Sequence, residues 1–254
     1  LPAPEGVCQT VMNLTFIRDG PALLVEGNER NLVVADTHFG IEADLISRGL
    51  HFRSRTSERL ERLMQTIDQA DPDNLILLGD IKHSIPSLTR QEFTEMPGIL
   101  TTLRDRVPLI IFPGNHDIGL ERFVHQDELR PRDGAIVDGV GYLHGHMNPA
   151  PGLSGHLIIL GHHHPLLSLH DEVGCALQAP AYLRTTLATP DEKSSDAGTG
   201  TTRLLFMPAF NELAGYDILR IVKDPFSPLS RGMNTEDAEI ILADGTFIDP
   251  VCNV

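Results

Sequence analysis

Asn74-Leu75-Ile76-Leu77-Leu78-Gly79-Asp80 runs four aliphatic side chains into a glycine and a carboxylate. An uninterrupted apolar run this short predicts a strand buried on both faces. The pattern recurs in Asn31-Leu32-Val33-Val34-Ala35-Asp36, in Val107-Pro108-Leu109-Ile110-Ile111-Phe112 ahead of Gly114-Asn115, and in Leu157-Ile158-Ile159-Leu160 ahead of Gly161-His162. Each run sets a ligand-type residue just past the C-terminal end of its strand. In open α/β sheets the loops of neighbouring strands converge on that rim.

Helical periodicity fills the intervals. Leu60, Leu63, Met64 and Ile67 fall at i, i+3, i+4 and i+7 within Ser54 to Ala70, which predicts an amphipathic helix. A second helix is expected from Thr89 to Arg104, aligning Phe93, Met96, Leu100 and Leu103, with Pro97-Gly98 expected to kink or split it. Strands alternating with helices imply βαβ crossovers in the first half. The second half reads mainly as β, with strands around Ala135 to Leu143, Ala176 to Leu183, Thr202 to Met207 and Ala238 to Leu242. Pro190 to Thr201 is polar and low in complexity and reads as an exposed hairpin loop rather than a linker. Residues 1–254 therefore read as a single α/β domain.

Composition narrows the functional classes. At 254 residues and 41% hydrophobic content the chain buries a sizeable core, and 22% charged residues is ordinary for a globular protein. No window approaches 18 uninterrupted apolar residues, so no membrane span is expected. The first fifteen residues lack a basic start followed by an apolar run, so a cytoplasmic protein is expected. Cys8, Cys175 and Cys252 form no C-x-x-C and read as reduced, buried thiols. A formal net charge of −15 without a lysine-arginine block argues against avid binding of duplex nucleic acid. A short scissile segment needs only local complementarity, which divalent cations supply. Nothing in the chain signals an oligomeric state.

The chemistry lies in five ordered segments: Asp36-Thr37-His38, Gly79-Asp80, Gly114-Asn115-His116-Asp117, His144-Gly145-His146 and Gly161-His162-His163-His164. Each is weak alone; the ordered set spells a two-metal site for phosphoester hydrolysis. Two cations about 3.5–4 Å apart polarise the phosphoryl group, activate water and stabilise the leaving oxygen. Asp80 is the natural bridge, because a carboxylate holds one ion with each oxygen. Asp36 and His38 sit on one side of a tight turn, and Asn115 offers a neutral carbonyl oxygen to the other ion. His162 and His164 project to one side if the backbone is extended, with His163 facing away. Of His144 and His146, His144 falls directly at a strand end and is the preferred ligand. His116, beside a ligand, is placed to protonate or stabilise the leaving oxygen. Asp117 either orients that ring or caps the turn. Phe39, Lys82 and His83 follow ligands and read equally as substrate contacts or packing. His51, His125, His156 and His170 lie away from the motifs and read as surface or structural residues.

The pattern D-x-H, GD, GNHD, H, GHxH resembles the calcineurin-like metallophosphoesterase superfamily over about Leu32 to Pro165. Gly40-Ile41-Glu42-Ala43, Asp80-Ile81-Lys82-His83-Ser84-Ile85 and Pro208-Ala209-Phe210-Asn211-Glu212 further resemble an archaeal group of phosphoesterases related to the nuclease subunits SbcD and Mre11. The resemblance implies a two-sheet β-sandwich flanked by helices. It implies one metal on Asp36, His38, Asp80 and His164, a second on Asp80, Asn115, His144 and His162, and His116 as the acid. Only 90 residues follow His164 and they show no long helical pattern, so a DNA-capping domain, a coiled coil and double-strand-break processing are not expected. The expected function is a metal-dependent phosphoesterase, a phosphodiesterase or nuclease acting on a nucleotide or on short or single-stranded nucleic acid. A phosphomonoesterase and a non-catalytic scaffold are the alternatives. Mixed imidazole and oxygen shells suit manganese first, with iron, zinc or nickel compatible. The segment Pro208 to Glu212 either lines the cleft or caps a loop.

Overall fold

The apolar runs form the central strands of two stacked sheets. The computed structural model describes residues 12–18, 20–50, 53–170, 176–188 and 201–251. In the first sheet β1 (Asn13–Ile17), β2 (Ala22–Glu26), β3 (Arg30–Ala35), β4 (Asn74–Leu78) and β5 (Leu109–Ile111) lie in that order. β1 to β3 are an antiparallel meander, whereas β3, β4 and β5 run parallel. Helices α1 (Ile41–Ser47) and α2 (Thr56–Ala70) carry the chain from β3 to β4, and α3 (Arg90–Arg104) carries it from β4 to β5. The crossovers are those the periodicity implies; β1 and β2 are additions.

The second sheet is built from β6 (Ala135–Val137), β7 (Val140–Leu143), β8 (Leu157–Leu160), β9 (Pro165–His170), β10 (Ala176–Thr186), β11 (Arg203–Phe206), β12 (Tyr216–Asp217), β13 (Glu239–Leu242) and β14 (Phe247–Pro250). Its main path runs β12-β9-β10-β11-β8-β7-β6, with β13 against β10 and β14 against β13. At its centre β7, β8 and β11 are parallel.

Side-chain alternation sorts the core into layers. On β3, Leu32 and Val34 face Leu63, Ile67, Met96 and Leu100 of the helices. Val33 and Ala35 face the second sheet, meeting a cluster that contains Tyr142, Ile159 and Leu205. The far side of that sheet packs Ile158 and Leu160 with Ile218 and Ile221 of α4 (Ile218–Lys223) and Leu229 of α5 (Pro228–Gly232). The result is a two-sheet sandwich flanked by helices. Among the described residues no helix is long and apolar enough to cross a membrane.

Helix α3 forms over the expected residues but is not split. Thr89 and Glu92 close a reciprocal capping box, and the helix runs on through Pro97 without splitting. The carbonyl that Pro97 leaves without its usual donor belongs to Phe93, which is 57% exposed, so the missing bond falls on the solvent side. The buried row is Met96, Ile99, Leu100 and Leu103, and Phe93 instead rests edge-on against Phe123. The loop expected at 190–201 lies, apart from Thr201, outside the described residues, as do the three cysteines.

After β11 the segment Pro208 to Glu212 crosses from the second sheet to the first. The Phe210 N–H donates to the Ala35 carbonyl at 2.8 Å, and its ring enters the helix-side core. Glu212 then meets Arg59 at 3.1 Å, Arg55 at 3.3 Å and Arg62 at 3.4 Å. The Arg59 side chain is wholly buried and lies 3.0 Å from the equally buried Glu42. This ionic knot joins α1, α2 and the crossing strap. Arg59→Ala strands the Glu42 carboxylate in the interior and is expected to cost about 3 kcal/mol. Urea denaturation checks this: the midpoint falls while the slope stays constant. An unchanged midpoint would show that the knot contributes no net stability.

Candidate metal centre

The ligand-type residues enter the site through turns that few side chains tolerate. Asp36 follows β3, Asp80 follows β4 by two residues, His144 follows β7 and His162 follows β8 by two. Seven described non-glycine residues have positive φ, and five of them are Asp36 (56°), His38 (42°), Asp80 (49°), His162 (70°) and His164 (46°). The left-handed region is sterically disfavoured for L-residues, and strain of this kind costs about 1–3 kcal/mol per residue. The 162–164 segment is therefore not extended. His162 and His164 converge because both bend left-handed, while His163 turns inward.

Glycines supply the close approaches. A Cβ on Gly161 would come within 2.7 Å of Asp36 Oδ2, and one on Gly114 would run into the Asp80 carboxylate. His163 is buried between the Phe206 and Phe226 rings, donating from Nδ1 to the Gly161 carbonyl at 3.0 Å and meeting Ser227 Oγ through Nε2 at 2.7 Å. It anchors the loop from behind. Burial drives its imidazole down to about 4, so it stays neutral.

Two clusters form around Asp80. Asp36, His38, Asp80 and His164 bring ligand atoms within 4.8 Å of one another, and Asp80, His144 and His162 do the same. Asn115 joins the second cluster, its Oδ1 lying 3.2 Å from His144 Nε2. Asp80 belongs to both. Its Oδ2 is 3.8 Å from His38 Nε2, and its Oδ1 is 3.4 Å from His144 Nε2. His146 stays outside the clusters, half-buried, with its ring 5.3 Å from that of His144.

The donor set fits cations. Asp36 Oδ2 accepts from the His162 N–H at 2.9 Å, while Oδ1 is buried without a hydrogen-bond partner, 3.2 Å from His164 Nε2. His144 donates from Nδ1 to the Leu78 carbonyl at 2.9 Å, which turns its Nε2 toward Asn115 Oδ1 and Asp80 Oδ1. Converging lone pairs repel unless positive charge lies between them. The electrostatics report that demand. Burial alone would lower the His144 imidazole, but Asp80 and Asp36 outweigh it and raise it to about 9. Burial would likewise raise the Asp80 carboxyl, yet His144, His38 and His116 hold it well below the usual carboxylate range. Burial and then His144 push His162 down to about 2, and burial with neighbouring histidines lowers His38, so both present free lone pairs.

His116 reaches this pair from the rim. Its ring lies 5.1 Å from that of His38, its Nε2 is 3.9 Å from Asp80 Oδ2, and its side chain is 22% exposed. Nδ1 donates to the His83 carbonyl. That carbonyl, and not Asp117, orients the ring. The Asp117 carboxylate instead accepts from the N–H groups of Ile81 (2.8 Å), Lys82 (3.3 Å) and Gly114 (2.8 Å), tying the loop after β5 to the loop after β4. Full burial and then Asp80 raise it to about 6 against those bonds.

The flanking residues sort by contact. Phe39 and Lys82 are buried and bridge to each other, with the Lys82 ammonium donating to the Ser84 carbonyl, so both pack. Asn211 donates from Nδ2 to the carbonyls of Thr37 (2.9 Å) and His38 (3.2 Å), which makes the Pro208 to Glu212 strap a brace for the Asp36-Thr37-His38 turn. Glu92 has a role the motif reading missed: its buried carboxylate accepts from the N–H groups of His83 (3.0 Å) and Ser84 (2.7 Å). The available signal was the spacing Thr89-x-x-Glu92. His125 is exposed and His156 lies against the Gly139 carbonyl, both remote from the clusters. His51 and the side chain of His170 lie outside the described residues.

The model of the calcineurin-like phosphoesterase family matches residues 30–183. Among solved structures, the nuclease MPE of Pseudomonas putida is similar at 18% identity with a TM-score of 0.56, over 93% of this chain and 100% of that one. Yfce, a phosphoesterase from E. coli, is similar at 12% identity with a TM-score of 0.37, over 68% of this chain and 77% of that one. At such identity the likeness to the P. putida protein speaks for the fold alone. The family match spans more than half of the sequence and all five motif segments, and the chain belongs to the calcineurin-like phosphoesterase family.

Proposed function

We propose that the protein is a metal-dependent phosphodiesterase or nuclease, acting on a nucleotide or on short or single-stranded nucleic acid, with manganese as its resident pair of ions. The observation that carries this is the position of Asp80, one carboxylate turned with one oxygen toward each cluster. Asp36, His38, Asp80 and His164 would hold one ion, and Asp80, Asn115, His144 and His162 the other. When bound, two divalent cations supply Lewis acidity at the phosphoryl oxygens and lower the pKa of water.

The chain's own groups do the rest. Asn115 contributes an uncharged oxygen, so the ligand set does not neutralise the cations. With Nδ1 committed to the His83 carbonyl, His116 keeps Nε2 for the substrate and, as the imidazolium, delivers its Nε2 proton to the departing alcohol oxygen, leaving the neutral imidazole. Beside it a cleft of about 500 Å³ runs between α1 and the 83–89 loop, lined by Asp44, Ser47, Ile85, Leu88 and Thr89. That is room for a bulky alcohol such as a nucleoside. The net charge of −15 disfavours a strong duplex binder.

His116→Ala is expected to lower kcat about 10²–10⁴-fold while metal content stays at the wild-type level. Asp80→Asn is expected to lose both, as read by metal analysis beside turnover. If Asp80→Asn kept two ions and full activity, the shared carboxylate would be wrong. With added manganese, bis-p-nitrophenyl phosphate and a labelled single-stranded oligonucleotide are expected to turn over faster than p-nitrophenyl phosphate. Preference for the monoester overturns the diesterase reading, and absence of turnover on every substrate favours a scaffold.

A further inference from the structure

His83 belongs to neither ligand cluster built around Asp80, yet it touches both ends of the machinery. Its Nδ1 lies 3.3 Å from Nδ1 of His38, the ring nitrogen opposite the one that faces Asp80 and His164. Its Nε2 lies 3.7 Å from Oδ2 of Asp44 on α1, a carboxylate also held by Arg48 at 2.8 Å. Its main chain is fixed by Glu92 and by the Phe39 carbonyl, 3.1 Å from its N–H.

We propose that His83 is a positioning residue which, with Asp44, sets the tautomer of His38. A neutral imidazole has one proton and one lone pair, so facing ring nitrogens must divide the roles. The Asp44 carboxylate keeps the His83 proton on Nε2. His83 Nδ1 then accepts from His38 Nδ1–H, and the His38 Nε2 lone pair is left for the cation. Reversing either link would turn an N–H of His38 toward the site. Metal-binding histidines are commonly fixed by a partner on the second nitrogen. Here that partner is another imidazole, and the carboxylate stands one step further back. The inference rests on the metal reading of the preceding subsection.

The test is calorimetric titration of the metal-free full chain with manganese chloride. Wild type is expected to bind two equivalents. His83→Ala is expected to weaken one of the two by about 10–100-fold and leave the other unchanged. His83→Asn keeps an acceptor oxygen at the position of Nδ1 and is expected to restore that affinity to within a few-fold. Asp44→Ala is expected to weaken the same equivalent and to add nothing on top of His83→Ala, because both act through one chain. Wild-type affinity in His83→Ala overturns the relay, as does failure of His83→Asn to rescue, which would mark a packing role. Loss of a third equivalent overturns it in another way, since the nitrogens of His38, His83 and His116 lie within 4.8 Å of one another and would then hold an ion themselves. Wild type binding no manganese removes the metal reading itself, a result distinct from any of these.

Discussion

Acceptor groups packed this closely in a protein interior need positive charge between them. Asp36, His38, Asp80, Asn115, His144, His162 and His164 bring their ligand atoms into one small volume, with Asp36, Asp80 and His144 almost wholly buried. A hydrogen-bond network would have interleaved donors. Here the Nδ1 donors of His144 and His116 are committed to the Leu78 and His83 carbonyls, and the backbone N–H groups of His162 and His116 satisfy only Asp36 Oδ2 and Asp80 Oδ1, which leaves Asp36 Oδ1 buried without a donor. The raised His144 and the depressed Asp80 express one demand from its two sides.

The rest of the fold forces that convergence. Five site residues accept left-handed backbone, at about 1–3 kcal/mol each, so that chain leaving a buried strand doubles back over its end. The offset comes from burying the strands on both faces, against helices on one side and the partner sheet on the other. Each loop also has its own brace. Asn211 holds the turn after β3, Asp117 links the loops after β4 and β5, Glu92 fixes the chain at His83 and Ser84, and His163 pins the loop after β8 to Ser227. These braces are all buried, and their worth lies in removing alternatives.

Much of this was legible because strand and ligand are adjacent in the chain. Leu75 to Leu78 names a buried strand, and Asp80 is at its end by covalent connection alone. The apolar runs said that the strands are covered on both faces, while the two-sheet layering came from the family resemblance. What could not be read depends on partners far away in sequence. Glu212 and Arg59 are 153 positions apart, and neither announces the other. Asp117 reads as either a ring partner of His116 or a turn cap, whereas its oxygens accept from the backbone N–H groups of Ile81, Lys82 and Gly114, two of which lie more than 30 positions away. Period-2 reasoning brought His162 and His164 to one side for the wrong reason, since positive φ leaves no mark in residue type when the residue is not glycine. Pro97 reads as a breaker, and only the exposure of Phe93 shows why the helix survives it.

The most direct measurement is anomalous diffraction from crystals of the protein soaked in manganese chloride, recorded near the manganese edge. The account predicts two peaks about 3.5–4 Å apart, one beside Asp36, His38 and His164, the other beside Asn115, His144 and His162, with an oxygen of Asp80 on each. A single peak, or two peaks that do not share Asp80, would contradict it.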